Sequence, residues 1–151
     1  MLDIVSAENL PCARGIKANA AAGAMKNFRQ PKSADEAKTL ARTKNILLYS
    51  PSYEFDEGIY KDLKKGGGAI AFSFSDACNE SGFRRGITLS KMRLSFESCR
   101  RSGCGFLVCT LANEKNALRN AKELESFMAV LGMNQHEKAF AEKKAEMLVG
   151  I

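Results

Sequence analysis

The sequence predicts an α/β protein, a partial barrel or open parallel sheet of about five βα units in a single domain over residues 1–151. Short continuous apolar runs, above all Ala69–Phe74 and Gly105–Thr110, suit strands buried on both faces. Helical patterns lie between these runs, giving crossovers long enough for parallel pairing. Length sets the size. At roughly 30 residues per βα unit the chain holds about five, whereas a complete eight-stranded barrel takes about 200 residues or more.

The elements follow in chain order. Leu2–Val5 is a short first strand, and Met25–Phe28 a further candidate. The alanine cluster Ala18–Ala24 between them reads as helix or connection. Ser33 opens S-A-D-E, an N-cap followed by acids that complement the helix dipole, and this helix runs to about Arg42. Ile46–Tyr49 is the next strand. Phe55 to Lys65 is a helix stopped by Gly66-Gly67-Gly68. The longest helix spans about Phe83 to Arg101, with Leu89, Met92, Phe96 and Cys99 forming one buried stripe and Gly103 closing it. Another helix holds Leu118, Ala121, Leu124, Met128 and Leu131 and stops at Gly132. The tail from Gln135 to Leu148 is a charged amphipathic helix.

Composition excludes several functions. His136 is the single histidine, too few for most hydrolytic metal sites, and a Ser-His-Asp or Cys-His mechanism would rest on it alone. The five cysteines, Cys12, Cys78, Cys99, Cys104 and Cys109, contain no CxxC pair and read as packed thiols of the reducing cytosol. Gly66-Gly67-Gly68 precedes a strand and so is a connection, not a phosphate loop. Asp56 and Glu57 are first-turn helix residues. No apolar run reaches the roughly 20 residues of a membrane helix, and the first ten residues include Asp3 and Glu8, unlike a secretory signal.

Charge points to a partner. The net charge is +6, and residues 82–105 carry six basic side chains against one acid. These are Arg84, Arg85, Lys91, Arg93, Arg100 and Arg101, with Glu97. A basic helix surface suits phosphate contact, because arginine forks hydrogen bonds onto phosphate oxygens. The same residues also suit a solvated face with cations at the helix C-terminus.

The order of Phe72-Ser73-Phe74, the arginine-rich helix, Leu118-Arg119 and Leu131-Gly132-Met133 resembles the thirty-kilodalton protein subunit of ribonuclease P, known as archaeal ribonuclease P protein component 3. The likeness covers about residues 46–133. Ala71 stands where that family has glutamate, Cys109-Thr110-Leu111-Ala112 replaces its S-S-G-A turn, and Glu123 replaces an aspartate. This chain resembles a reduced, divergent member lacking two to three βα units.

The resemblance implies a partial TIM-like barrel of the polymerase-and-histidinol-phosphatase-like kind, without its histidine cluster. It implies a non-catalytic protein subunit that supports an RNA enzyme. That RNA removes the 5′ leader of precursor tRNA with magnesium ions, while this chain binds no cofactor. The implied partners are ribonuclease P RNA, the ferredoxin-like protein component 2 and other ribonuclease P proteins. Arg119, which falls on a family motif, is the first expected RNA contact, unless it pairs with Glu123 at i+4. Arg84 and Arg85 follow, then Lys91, Arg93, Arg100 and Arg101. The rivals are a protein-interaction module without RNA binding and a stand-alone phosphoesterase.

Overall fold

In the computed structural model, which describes residues 1–150, six strands form two all-parallel sheets. Strands β3 (Phe28–Arg29), β4 (Leu47–Leu48), β5 (Ala69–Ser73) and β6 (Gly105–Cys109) lie side by side in sequence order. Strands β1 (Leu2–Val5) and β2 (Ala18–Ala21) pair separately, Leu2 opposite Ala18. Three crossovers build the larger sheet. They are α1 (Ala34–Ala41), α2 (Glu57–Gly66), and the pair α3 (Phe74–Cys78) and α4 (Gly82–Ser102). Helices α5 (Ala121–Val130) and α6 (Gln135–Val149) complete the fold.

Every residue of β5 and β6 is buried, as expected when helices cover both faces of a parallel sheet. Leu47, Leu63, Ile70, Phe72, Met92, Phe96, Leu107 and Leu124 are among the fully buried residues of the core. The two sheets meet where the chain leaves β6. The Leu111 amide donates to the Ile4 carbonyl at 2.9 Å, and the Ser6 amide to the Ala112 carbonyl at 2.8 Å. No ladder joins β2 to β3 among the described residues, so the strands do not close into a barrel.

Local signals place most boundaries. The Ser33 hydroxyl accepts from the Glu36 amide at 3.1 Å and starts α1. Gly67 and Gly103 end α2 and α4 at φ of 75°, the left-handed region that glycine enters without a Cβ penalty. Asn120 with Glu123, and Asn134 with Glu137, form reciprocal capping boxes on α5 and α6.

Four expectations are corrected. Four strands, not about five, are followed by helices. The alanine cluster is strand β2 and then a 3-10 turn, Ala22–Ala24, rather than helix. The ladder to β1 overrides alanine's helix preference, and the Asn19 amide pins the preceding loop by donating to the Leu10 and Pro11 carbonyls. Phe74 begins α3 instead of ending β5, as Ser75 turns back to donate to the Thr110 carbonyl. Leu118 precedes α5, because the Asn120 cap sets the helix start at Ala121, three residues later.

Candidate nucleic-acid interface

Helix α4 carries six of the seven side chains expected to meet RNA. Its buried stripe is Met92, Phe96 and Cys99, with Leu89 half-buried. A second apolar line, Phe83, Ile87 and Leu94, faces solvent, with Phe83 85% exposed. The first turns of α4 stand clear of the fold, since residues 81–87 are all exposed.

Most of the basic side chains are already engaged. Arg85 Nε donates to the Ala77 carbonyl at 3.0 Å and the Glu80 carbonyl at 2.9 Å, capping the end of α3. Lys91 pairs with Glu54 at 3.1 Å. Arg93 Nε donates to the Val130 carbonyl at 2.9 Å and caps α5. Arg100 binds Glu97 at 2.7 Å, Glu137 at 2.9 Å and the Gly132 carbonyl at 2.8 Å, and its guanidinium lies 4.8 Å from the centroid of the Phe96 ring. The hydrogen bond from Arg100 holds the Glu137 carboxyl below its ordinary range and raises the guanidinium in return. Arg101 reaches Glu57 at 3.2 Å. Arg84 is exposed and has no ion-pair partner among the described residues.

Arg119 lies off α4, before α5. It makes the i+4 pair with Glu123 at 3.7 Å, donates to the Asn116 and Leu118 carbonyls, and sits 5.3 Å from the centroid of the Phe74 ring. The structure therefore spreads the seven residues instead of gathering them: Lys91 and Arg101 reach Glu54 and Glu57, whereas Arg93 and Arg100 reach Val130 and Glu137. Exposed pairs of this kind contribute about 0–1 kcal/mol, so a phosphate can compete for the same guanidinium.

The carboxyl ends of the strands, where parallel α/β folds place chemistry, hold two polar knots that sequence reasoning missed. Asp3 is buried and accepts from the Thr110 amide at 2.8 Å and the Thr110 hydroxyl at 2.6 Å. Burial raises its carboxyl against the pull of these bonds. Asp76 Oδ2 accepts from the Tyr49 and Tyr53 hydroxyls at 2.7 and 2.6 Å. Burial first, and then the Asp76 carboxylate, pushes both phenols far upward. Tyr53 holds a φ of 53°, unusual for an aromatic residue, while its hydroxyl also accepts from the Ser73 amide. These groups satisfy one another's hydrogen bonds. The signal that could have found them is an acid or tyrosine placed just beyond, or inside, a short apolar run.

Among the described residues, no group of three or more histidine, cysteine or acidic side chains is placed to hold a metal ion. Among the described residues, no helix is long and apolar enough to cross a membrane.

No family model matches this chain, and no curated protein matches it. Among solved structures, it is similar to a chain in the cryo-EM structure of archaeal Ribonuclease P with mature tRNA. The TM-score is 0.73 at 16% sequence identity, and the match covers 82% of this chain. It spans about half of the other, 55%. At that identity, what the two chains share is an α/β fold with parallel strands.

Proposed function

We propose that this chain is a non-catalytic, RNA-binding protein subunit of ribonuclease P. The observation that carries the reading is the fold likeness to a chain of archaeal Ribonuclease P with mature tRNA. The sequence motifs from Phe72 to Met133 and the net charge of +6 support it independently. On this reading the chain is a reduced TIM-like barrel of the protein component 3 kind. Its partners are ribonuclease P RNA, protein component 2 and other ribonuclease P proteins, and the magnesium ions belong to the RNA.

The protein's part is electrostatic. Basic side chains screen RNA phosphates, so the catalytic RNA folds at lower magnesium. Arg84 comes first among the contacts because no ion-pair partner among the described residues competes for it. Arg119, Arg85, Lys91, Arg93, Arg100 and Arg101 would exchange a carboxylate or carbonyl for a phosphate oxygen. Each contact adds about one unit to the salt slope of RNA binding.

The test is precursor-tRNA cleavage by reconstituted ribonuclease P RNA, with and without this chain and a component 2 partner, across a magnesium series. A lower magnesium requirement that depends on this chain is expected. No effect, with RNA and partner verified active, overturns the reading. The exposed line Phe83, Ile87 and Leu94 favours a second reading, a protein-interaction module without RNA binding. Absence of any binding to structured RNA at low salt would select it.

A further inference from the structure

A cavity of about 540 Å³ opens at the end of the larger sheet opposite the polar knots, between the last turn of α4, the start of β6 and the first turns of α6. Phe106 and Phe140 form an aromatic wall, their ring centroids 5.2 Å apart and inclined at 48°. Phe106 is buried, but Phe140 is 45% exposed and presents ring surface to the opening. Cys99 and Cys104 line the same cavity and are buried. Contact with Cys104, and then burial, drives the Cys99 thiol upward, so Cys99 stays a protonated thiol.

The polar lining is Arg100, Asn134, His136 and Glu137, and two lysines lie just beyond it. His136, Phe140 and Lys144 recur at steps of four along α6 and so share one side of it. Two glycines admit the lysines. A Cβ on Gly103, itself a lining residue, would stand 3.1 Å from Lys64 Nζ, and one on Gly105 would stand 2.7 Å from Lys144 Cε. Both lysine side chains therefore lie against the chain entering β6, Lys64 at Gly103, which lines the opening, and Lys144 at Gly105, between the lining residues Cys104 and Phe106. Neither makes an ion pair among the described residues. The acid in the wall, Glu137, is bound by Arg100 at 2.9 Å. The Asn134 side-chain Oδ1 caps α6 by accepting from the Glu137 amide, and its Nδ2 hydrogens remain as donors.

An aromatic face flanked by unpaired ammonium groups is the chemistry that holds a single nucleic-acid strand. The base stacks on the ring while cations take the adjoining phosphates. We propose that this cavity receives an unpaired nucleobase of RNA against Phe140, with Lys64 and Lys144 on the flanking phosphates. The inference rests on the RNA-binding reading above and adds a stacking site at the C-terminal end of α4, where Arg100 lines the cavity.

The test is fluorescence anisotropy of the full chain with a labelled short single-stranded RNA and a duplex of the same length, from about 50 to 200 mM salt. The native chain is expected to prefer the single strand. Phe140→Ala and Phe140→Leu should each weaken that binding about 5- to 150-fold at every salt concentration, with the slope unchanged. Phe140→Tyr should bind as the native chain does. Lys64→Gln with Lys144→Gln should lower the slope by about 1.4, while Lys17→Gln with Lys26→Gln, matched in charge, should not.

Phe140→Leu keeps apolar packing without a stacking ring, so its full retention of affinity overturns the site even if Phe140→Ala misfolds. Equal slope losses in the two lysine pairs would assign the effect to net charge and also overturn it. A native chain that binds neither RNA overturns the RNA-binding reading itself. One that binds RNA with no response to Phe140 overturns only this site.

Discussion

Replacing Asp3 tests the joint between the two sheets. Its carboxylate, on β1, is the acceptor for both the amide and the hydroxyl of Thr110, which follows β6, and both residues are buried. Hydrogen bonds to a charged group contribute about 1.5–3 kcal/mol each. Asp3→Ala strands a buried amide and hydroxyl, but it also removes a carboxylate whose burial is unfavourable. The net expectation is a loss of about 2–4 kcal/mol, which for a chain of this size lowers Tm by roughly 5–15 °C. Asp3→Asn keeps an acceptor for the Thr110 amide and should cost about 1 kcal/mol.

The pH dependence separates the two terms. Burial raises the folded carboxyl above its ordinary value of 3.8, so the folded state binds this proton more readily than the unfolded state. That contribution to stability is complete below 3.8 and is lost as pH rises through the folded value. The native chain should therefore gain on Asp3→Asn as pH falls toward 3.8. Urea unfolding of the three proteins across this range measures both effects. Asp3→Ala within about 0.5 kcal/mol of the native chain would refute the argument that this contact joins the sheets.

Two further expectations concern stability alone. Gly105→Ala should destabilise by about 1–3 kcal/mol, because its Cβ would lie 2.5 Å from the Gly68 carbonyl oxygen, whereas Gly86→Ala, in open space on α4, should stabilise by about 1 kcal/mol; thermal melts of both check the pair. The Arg100 bond holds the folded Glu137 carboxyl below 4.5, so its stabilisation is present above that value and is lost as pH falls through the folded one. Glu137→Gln should flatten that acid limb by less than about 1 kcal/mol, given the exposure of Arg100, as read from urea midpoints at low pH.

What could be read from residues alone was local. The Ser33 cap, the glycine stops at Gly67 and Gly103 and the Met92–Phe96–Cys99 stripe depend on neighbours within one or two turns. The capping boxes at Asn120 and Asn134 were equally legible as N-x-x-E, and would have corrected the start of α5. Buried apolar runs marked β5 and β6 because a parallel sheet covered on both faces leaves no polar alternation to hide them.

Tertiary structure decided the rest. Strand β2 exists because β1 offers it a ladder, which no alanine-rich window reveals. The expected RNA-binding arginines look free in sequence, yet Arg93 meets Val130 and Arg101 meets Glu57 across long stretches of chain. The pairing of Arg100 with Glu137, and of Phe106 with Phe140, likewise arises only when α6 folds back beside β6. Charge and aromatic content were fixed by composition. Which charges are neutralised, and which ring lies beside an unpaired lysine, depends on contacts between residues far apart in the chain.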